Sequence, residues 1–519
     1  MRTQPTRLIA ACAVIVLLSF VPTASMASPS TPSMILPGVP LPEPQGVWFP
    51  PETVDSATGD VWFWRPSLAV EPSGNAFVVW SQFNADGFMD IWANRYDVQE
   101  GWGVAEVIEE IDTFAMLPDV AVDGLGNAIA VWEQVPLGGP DARAVIWANR
   151  YADGEGWGTA VRIQQTDLRG TEPAIGADTE GNAIAIWFEE TAPRTDANSV
   201  WSNRFLVGQG WGVAERIDEN PWPHAWGIQL AVDGQGDAIA AWTEYDASLH
   251  GDAWYNRFVA GAGWGAAERL ETSDAEWTGV LSLRGNRGGT TFAVWDQLES
   301  DRVTLWARRY DPVGGWDQPF EVGILASFRA FPSEVDVAVD DTGNAFVVWD
   351  ELVANETSWK VYMRARRYET GVGWTPASLV DSYTDWPSPF GLAMNPSGQA
   401  LVTWSVGSDI RASRYDPNGG WESPIVIHHQ PWLWGQFAVG TDNIGRGMAA
   451  WVGGNDEGHY DLFVSRFHPS PEFATPPVRP WTPYVQGVLP GVPSSDVRAA
   501  PSRGSRSASP WATRTVSAI

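Results

Sequence analysis

Short runs of hydrophobic residues, broken by Gly, Asp and Asn, fill most of the chain and recur at a regular interval. One unit, Pro118–Trp132, reads PDVAVDGLGNAIAVW, and another, Val335–Trp349, reads VDVAVDDTGNAFVVW. Apolar runs of about five to eight residues, rich in β-branched and aromatic side chains, are typical of strands. No long stretch carries a helical period, so the pattern predicts an all-β protein.

Three anchor positions define the repeat. The tryptophan that closes the unit occurs eight times, mostly 52 to 55 residues apart with one step of 47, at Trp80, Trp132, Trp187, Trp242, Trp295, Trp349, Trp404 and Trp451. An arginine followed by an aromatic residue occurs at Arg95, Arg150, Arg204, Arg257, Arg309, Arg367, Arg414 and Arg466. A Gly-Trp pair occurs at Trp102, Trp157, Trp211, Trp264, Trp316, Trp374 and Trp421. Repeats of about 50 residues with four strands each indicate propeller blades.

The second strand of the unit shows how the blades pack. Ala128, Ala130 and Trp132 fall on one face of the strand, and Ile129 and Val131 fall on the other. Both faces are apolar, as a blade between two other blades requires. The sequence therefore predicts an eight-bladed β-propeller of four-stranded antiparallel blades.

The chain ends predict how the ring closes. The internal Gly-Trp strand has seven copies for eight blades, and the missing copy stands at the front, in residues 46–54, GVWFPPETV. We expect this N-terminal strand to complete the last blade by pairing outside residues 461–467. Such closure removes an exposed strand edge.

The repeat resembles known propeller families. Tyr310-Asp311-Pro312 before Gly315-Trp316, and Tyr415-Asp416-Pro417 before Gly420-Trp421, are similar to the corner between the third and fourth strands of kelch repeats. The Ala-Val-Asp-x-x-Gly-Asn hairpin resembles that of NHL-type repeats and, more distantly, the Asp-box turns of sialidases. The kelch double glycine and the Asp-box spacing are both absent. The resemblance thus implies the fold and the strand order, and it implies no activity.

The flanks differ from the repeat. Arg2 and Arg7 precede an apolar run from Leu8 to Val21, which predicts a signal peptide over residues 1–27 and a secreted or periplasmic protein. The expected order continues with a flexible linker over 28–45, the propeller over 46–468, and a disordered Pro/Ser/Arg-rich tail over 469–519. The only cysteine, Cys12, lies in the signal peptide, so disulfides and thiolate metal sites are not expected.

Charge narrows the set of partners. The chain has 63 acidic and 32 basic residues, a formal net charge of −31. Such a surface repels nucleic acid and anionic membranes. We expect neither nucleic-acid binding nor membrane insertion, and we expect a monomer.

The repeated arginines and tryptophans are interpreted as scaffold. An arginine in every blade, such as Arg150, can stack on aromatic rings or pair with acids on the neighbouring strand, for which Glu133, Glu189 and Asp296 are candidates. The closing tryptophans, the Gly-Trp set and five third-strand tryptophans are assigned to the core.

The irregular positions point to the working face. The hairpins between strands one and two, and between three and four, are uniform, so variation concentrates in the connections at the opposite face. Exposed aromatic residues at such a mouth suit stacking on sugar rings or anchoring a peptide, although they could instead plug the channel. The candidate ligand-binding residues, with histidine included, are Trp64, Trp222, His224, Trp226, Trp277, Trp386, Trp432 and Trp434.

The same face carries a polar ring two residues after the closing tryptophan, at Gln82, Gln134, Glu189, Glu244, Gln297 and Glu351. These side chains could bind polyols or a cation, and pairing with the repeated arginines is favoured. No motif for a metal site or a catalytic nucleophile is present, and the adjacent His428 and His429 point to opposite faces of a strand. We therefore expect no catalytic residue and no cofactor, although bound calcium stays open as an alternative.

Three functions remain open. The leading hypothesis is a secreted, non-enzymatic module that binds an extracellular glycan or protein through the tryptophan-lined face. The alternatives are a glycan-active hydrolase or lyase with its site in the central funnel, and a structural envelope protein.

Overall fold

The strands of the protein form eight small antiparallel sheets arranged as a propeller, as the repeat predicts. The computed structural model describes residues 46–469 except 56–58, 63–65, 112, 136–142, 193–196, 220–223, 246–249, 273–276, 300–301, 327–333, 355–357, 386–388, 431–432 and 456–457. This described part contains no helix, and thus no helix that is long and apolar enough to cross a membrane. The signal peptide, linker and tail predicted for residues 1–45 and 470–519 lie outside it and stay predictions.

Blades are numbered 1 to 8 by their closing tryptophans, from Trp80 to Trp451. The first strands are Ser67–Val70, Ala115–Val122, Gly170–Ala177, Ala225–Val232, Trp277–Gly285, Val335–Val339, Phe390–Met394 and Leu433–Thr441. The second strands are Ala76–Phe83, Ala128–Gln134, Ala183–Glu190, Ala238–Tyr245, Thr291–Glu299, Ala345–Ala354, Ala400–Val406 and Gly447–Gly454. The third strands are Met89–Asp97, Val145–Ala152, Asn198–Leu206, Gly251–Val259, Arg302–Asp311, Trp359–Glu369, Asp409–Asp416 and Tyr460–His468.

Each fourth strand is split into two segments, of which the first is the Gly-Trp pair. In blades 1 to 7 the segments are Gly101–Trp102 with Glu106–Val107, Gly156–Trp157 with Val161–Arg162, Gly210–Trp211 with Glu215–Arg216, Gly263–Trp264 with Glu268–Arg269, Gly315–Trp316 with Phe320–Ala326, Gly373–Trp374 with Ser378–Tyr383, and Gly420–Trp421 with Ile425–His429. A single parallel bridge, Ala326 with Leu352, joins the sheets of blades 5 and 6.

The N-terminal strand completes blade 8, which confirms the predicted closure. Residues Val47–Trp48 and Glu52–Thr53 both pair antiparallel with the third strand of that blade. Trp48 stands opposite Phe467, as Trp102 stands opposite Tyr96 within blade 1. The outer edge of blade 8 is thereby covered.

The core lies between blades, and the second strands supply most of it. All eight closing tryptophans are fully buried, and every residue of Ala128–Gln134 is buried, which confirms that both faces of this strand are packed. The third-strand tryptophans and the Gly-Trp set, also assigned to the core, are less buried than expected, and the five third-strand rings are all half-buried. The Gly-Trp residues are half-buried except Trp421, because the fourth strand is the outermost strand of each blade.

The uniform hairpin is held by its aspartate. Asp123 Oδ1 accepts hydrogen bonds from the backbone N–H groups of Leu125 (2.7 Å) and Asn127 (2.9 Å). Gly126 takes a φ of +89°, a left-handed conformation that glycine adopts without steric cost. The repeated Asp-x-x-Gly-Asn sequence is thus a turn, as predicted.

The repeated arginines link each blade to the next. Every guanidinium lies over the aromatic ring that follows the equivalent arginine in the next blade, with 5.0 to 5.9 Å between the guanidinium carbon and the ring centroid. The pairs are Arg95 on Tyr151, Arg150 on Phe205, Arg204 on Phe258, Arg257 on Tyr310, Arg309 on Tyr368, Arg367 on Tyr415, Arg414 on Phe467 and Arg466 on Tyr96. The arginines are scaffold, and their stacking closes into a ring.

The acids proposed for these arginines are not their partners. Glu133 lies opposite Ile146 in the blade 2 hairpin, whereas Arg150 lies opposite Ile129, at the other end of the same strands. Four of the arginines, Arg95, Arg309, Arg367 and Arg414, pair instead with an acid two residues along their own strand, as Arg309 does with Asp311 (3.0 Å). Arg257 pairs with Asp237 (2.8 Å), and Arg466 pairs with Glu52 on the neighbouring strand. Strand alternation explains the four pairs within one strand, because residues i and i+2 share a face.

Candidate functional site

The connections from strand two to strand three, and from strand four to the next blade, share one face of the ring, here called the loop-bearing face. Of the candidate ligand-binding residues, Trp64, Trp222, Trp386 and Trp432 lie outside the described residues. Trp434 is the second residue of the first strand of blade 8 and lies opposite Val452, and its side chain is also outside the description. His224, Trp226 and Trp277 are described, and these three lie on blades 4 and 5.

Trp226, Tyr245 and Trp277 form one aromatic cluster, here called the aromatic bridge because it spans blades 4 and 5. The rings of Trp226 and Tyr245 are stacked, with centroids 6.1 Å apart and an interplanar angle of 23°. Trp277 Nε1 donates a hydrogen bond to the Tyr245 hydroxyl at 2.8 Å. All three rings are half-buried, and burial raises the pKa of Tyr245 to about 12.

His224 sits beside the aromatic bridge. Its side chain is exposed, and its carbonyl accepts a hydrogen bond from the backbone N–H of Tyr245 at 3.1 Å. Sequence reasoning brought His224, Trp226 and Trp277 to the same face but missed Tyr245. The sequence did indicate the location of Tyr245, because it stands three residues after Trp242, where the second strand ends at the loop-bearing face.

Charged groups surround the aromatic bridge. Arg269 contacts both Asp252 and Glu271, the latter at 3.2 Å between Nη2 and Oε1. Glu271 also accepts hydrogen bonds from the Thr278 hydroxyl (2.7 Å) and the Gln297 amide (3.2 Å). Burial, followed by the neighbouring Asp252 carboxylate, raises the pKa of Glu271 to about 7.

The polar ring after the closing tryptophans has a structural partner that the sequence analysis did not expect. Four of its members accept a hydrogen bond from the indole of their own blade, at 2.7 to 3.2 Å: Gln82 from Trp80, Gln134 from Trp132, Glu189 from Trp187 and Glu244 from Trp242. The favoured pairing with the repeated arginines is wrong for these four, because those arginines lie at the opposite end of the blade.

A further set of polar residues lies at the ends of the fourth strands on the loop-bearing face, and Asp55, Glu271 and Asp381 of this set contact the next blade. The set follows the apolar end of the fourth strand, at Asp55, Gln164, Asp218, Glu271 and Asp381. The Gln82 amide of blade 1 contacts the Asp55 carboxylate of blade 8 (3.5 Å), and burial raises the pKa of Asp55 to about 6. Sequence reasoning missed this set, although an apolar residue followed by an acid or amide at the end of strand four was a usable signal.

A second polar cluster joins blades 6 and 7. The Tyr383 hydroxyl donates to Asp350 Oδ2 at 2.7 Å, and Asp381 accepts from Trp404 Nε1 (3.2 Å) and Arg411 Nη1 (2.9 Å). Asp350 is fully buried, and its Oδ1 atom has no hydrogen-bond partner among the described residues. Burial, with Glu334 and Asp381 nearby, raises the pKa of Asp350 to about 7.

His428 and His429 point to opposite sides of their strand, as predicted. The His428 ring packs 6.0 Å from Trp451, and burial lowers its pKa. The exposed His429 contacts Asp409 through Nδ1 (2.9 Å) and Ser408 through Nε2 (3.3 Å). Within the described part of the chain, no group of three or more His, Asp or Glu side chains could hold a metal ion.

Comparison with known proteins finds likeness in fold only. No protein-family model matches the chain, and none of the curated proteins matches it. A polysaccharide lyase described as an ulvan lyase is similar over 71% of this chain and 96% of its own, with 13% identity and a TM-score of 0.44. An α-L-arabinofuranosidase from Fusarium graminearum is similar over 59% and 95%, with 10% identity and a TM-score of 0.37. The NanB sialidase from Streptococcus pneumoniae is similar over 81% and 92%, with 8% identity and a TM-score of 0.34.

Proposed function

We propose that the protein is a secreted, non-enzymatic binding module that holds an extracellular glycan on its loop-bearing face. The observation that carries this proposal is the aromatic bridge. Trp226, Tyr245 and Trp277 come from two adjacent blades, remain half-buried, and are fixed by ring stacking and a hydrogen bond. Rigid rings lose little conformational entropy when a ligand stacks on them.

The groups around the bridge suit a sugar. A sugar ring offers an apolar face of C–H groups to an aromatic ring and hydroxyl groups at its rim. Asp252 and Arg269 are partly exposed beside the bridge, with 31% and 38% of their side chains accessible, and can accept from and donate to such hydroxyls. The same rings could anchor a protein, and the experiment below includes that outcome.

The test is a glycan-array screen of the chain from residue 28 onward, followed by titration of each hit by calorimetry. Trp226→Ala and Trp277→Ala are each expected to weaken binding by roughly 10- to 100-fold, the loss of one stacked ring. Trp277→Phe keeps a ring and loses only the hydrogen bond to Tyr245, so it should weaken binding less.

Trp264→Ala is the matched control, because Trp264 is also half-buried in blade 4 but belongs to the Gly-Trp set, whose turn lies at the opposite face. It should leave affinity unchanged. If the array shows no glycan while the folded protein captures a protein through the same two tryptophans, the glycan proposal is refuted in favour of a protein partner.

A glycan-cleaving enzyme is the second candidate, and Glu271 favours it. A carboxyl group with a pKa of about 7 is protonated in part at neutral pH, as a general acid must be. Glu271 contacts Thr278, the neighbour of Trp277 in the aromatic bridge. Release of new reducing ends or unsaturated products from a bound glycan, abolished by Glu271→Gln, would establish this function and exclude a purely binding role.

A further inference from the structure

We infer that the glycan held at the aromatic bridge lacks carboxylate and sulfate groups. This inference rests on the proposed function and names its ligand class. It follows from the charges around the bridge, where every described guanidinium already has a carboxylate partner and carboxylates remain in excess.

Two arginines of the described structure lie near the bridge, and both are engaged. Arg216 forms a two-pronged ion pair with Asp218, with Nε to Oδ1 at 2.7 Å and Nη2 to Oδ2 at 3.0 Å. Arg269 is shared between Asp252 and Glu271. An anionic sugar could gain a guanidinium only by displacing one of these carboxylates, and a displaced buried acid would lose its compensating charge.

Asp218 and Glu271 could not turn to water if they were displaced, whereas Asp252, with 31% of its side chain accessible, could. The side chains of Asp218 and Glu271 are 0% and 1% accessible, so each would stay buried without its partner. Removing one partner of a buried ion pair is strongly destabilising. Arg216 is therefore held by a buried acid, and Arg269 keeps the buried Glu271 as a partner even where Asp252 turns away.

Carboxylates outnumber guanidiniums at the bridge. Glu244 lies opposite Asp252 in the strand register of blade 4, close enough to act electrostatically on Arg216. Asp296 approaches the bridge from blade 5, since a β-carbon on Gly279 would lie 2.7 Å from Asp296 Oδ1 and 2.0 Å from the Trp277 ring. The described cluster thus holds five carboxyl groups, Asp218, Glu244, Asp252, Glu271 and Asp296, for Arg216 and Arg269, and acids still outnumber guanidiniums when Glu271 is protonated.

This surplus has opposite effects on the two classes of glycan. Carboxylate oxygens accept hydrogen bonds from sugar hydroxyls, which a neutral glycan supplies along its whole length. A uronate or sulfate group would add a like charge to a site that is already negative, on a protein with a net charge of −31. The rings bind either class, so charge decides between them.

The experiment compares neutral polysaccharides, such as β-glucan, xylan and mannan, with polygalacturonate and a sulfated galactan, by affinity electrophoresis and calorimetry. Each is measured at about 20 mM and about 500 mM NaCl, which shortens the Debye length from roughly 20 Å to about 4 Å. We expect a neutral polysaccharide to bind with an affinity that salt changes by less than about twofold, and the anionic ones not to bind at low salt.

Asp252→Asn supplies a gain-of-function arm. It removes the exposed partner of Arg269, so the variant should bind polygalacturonate at least about tenfold more tightly than the wild type at low salt, and lose that gain at high salt. Asp167→Asn is the matched control. It removes the exposed partner of Arg162 in blade 2, away from the bridge, and should give no gain.

The outcomes separate the two proposals. Salt-sensitive binding of an anionic polysaccharide by the wild type, lost in Trp226→Ala, overturns this inference and leaves glycan binding at the bridge intact. An equal gain from Asp167→Asn also overturns it, because the effect would then be a property of overall charge. Absence of binding to every glycan overturns the proposed function itself.

Discussion

Replacing Asp350 by asparagine should stabilise the protein at alkaline pH and leave it almost unchanged in acid. Asp350 is fully buried between blades 6 and 7, with Glu334 and Asp381 nearby, and it accepts a hydrogen bond from the Tyr383 hydroxyl. Burial makes the charged form costly, so the pKa rises from 3.8 to about 7. The carbonyl of an asparagine side chain at this position can still accept the Tyr383 hydrogen bond without ever carrying a charge.

The sign and size follow from proton linkage. A carboxyl whose pKa is raised in the folded state stabilises that state fully below the unfolded pKa of 3.8, and this contribution is lost as the pH rises through about 7. Between pH 5 and pH 8 this one group should lower the free energy of unfolding by roughly 2 to 3 kcal/mol. Asp55, with a pKa of about 6, and Glu271, with a pKa of about 7, act in the same direction.

Urea unfolding followed by tryptophan fluorescence at pH 5 and pH 8 measures the effect. The difference in the free energy of unfolding between Asp350→Asn and the wild type should be larger at pH 8 than at pH 5, by roughly 2 to 3 kcal/mol in favour of the variant. Asp341→Asn, an exposed acid of the blade 6 turn, is the control and should follow the wild type at both pH values. Parallel pH profiles for Asp350→Asn and the wild type would refute the reasoning.

Three further substitutions test the scaffold by the same unfolding measurement. Trp132→Phe leaves a gap in a fully buried site and removes an indole hydrogen bond, so it should cost about 2 to 4 kcal/mol; a cost below about 1 kcal/mol would contradict the packing described. Arg257→Met removes the stacking on Tyr310 together with the ion pair to Asp237 and should cost about 1 kcal/mol, whereas no loss would mean that both contacts are energetically neutral. Gly126→Ala should cost about 1 to 2 kcal/mol at a φ of +89°, while Gly124→Ala, with no positive φ and only an ordinary van der Waals contact for its new β-carbon, should cost much less.

The sequence predicted the features that every blade repeats. Trp132 and its equivalents recur at one position, so their burial, the strand order and the blade count could be read from spacing alone. The seam was also predictable, because GVWFPPETV supplies the one strand that the repeat lacks.

The site was less accessible to sequence reasoning, because it depends on contacts between blades that recur at only some of the blade boundaries. The association of Glu271 with Gln297 crosses from blade 4 to blade 5, and neither residue has an equivalent pair in every blade. Tyr245 was missed for the same reason: it acquires a role only where Trp226 and Trp277 meet it. A periodic signal reveals the scaffold, whereas a ligand site is a departure from periodicity.

The seam of blade 8 also sets an order of events during synthesis. Glu52 and Arg466, which contact each other there, are 414 residues apart in the chain. The N-terminal strand of the seam is synthesised first, so its edge stays unpaired until the third strand of blade 8 has been synthesised. Blades 1 to 7 can fold as they emerge, but the closing contacts, Arg466 on Tyr96 among them, form only at the end. A chain that is still bound to the ribosome, or that is truncated before residue 460, should thus be an open arc with two unpaired ends. The ring can close only after residues 460–468 have been synthesised.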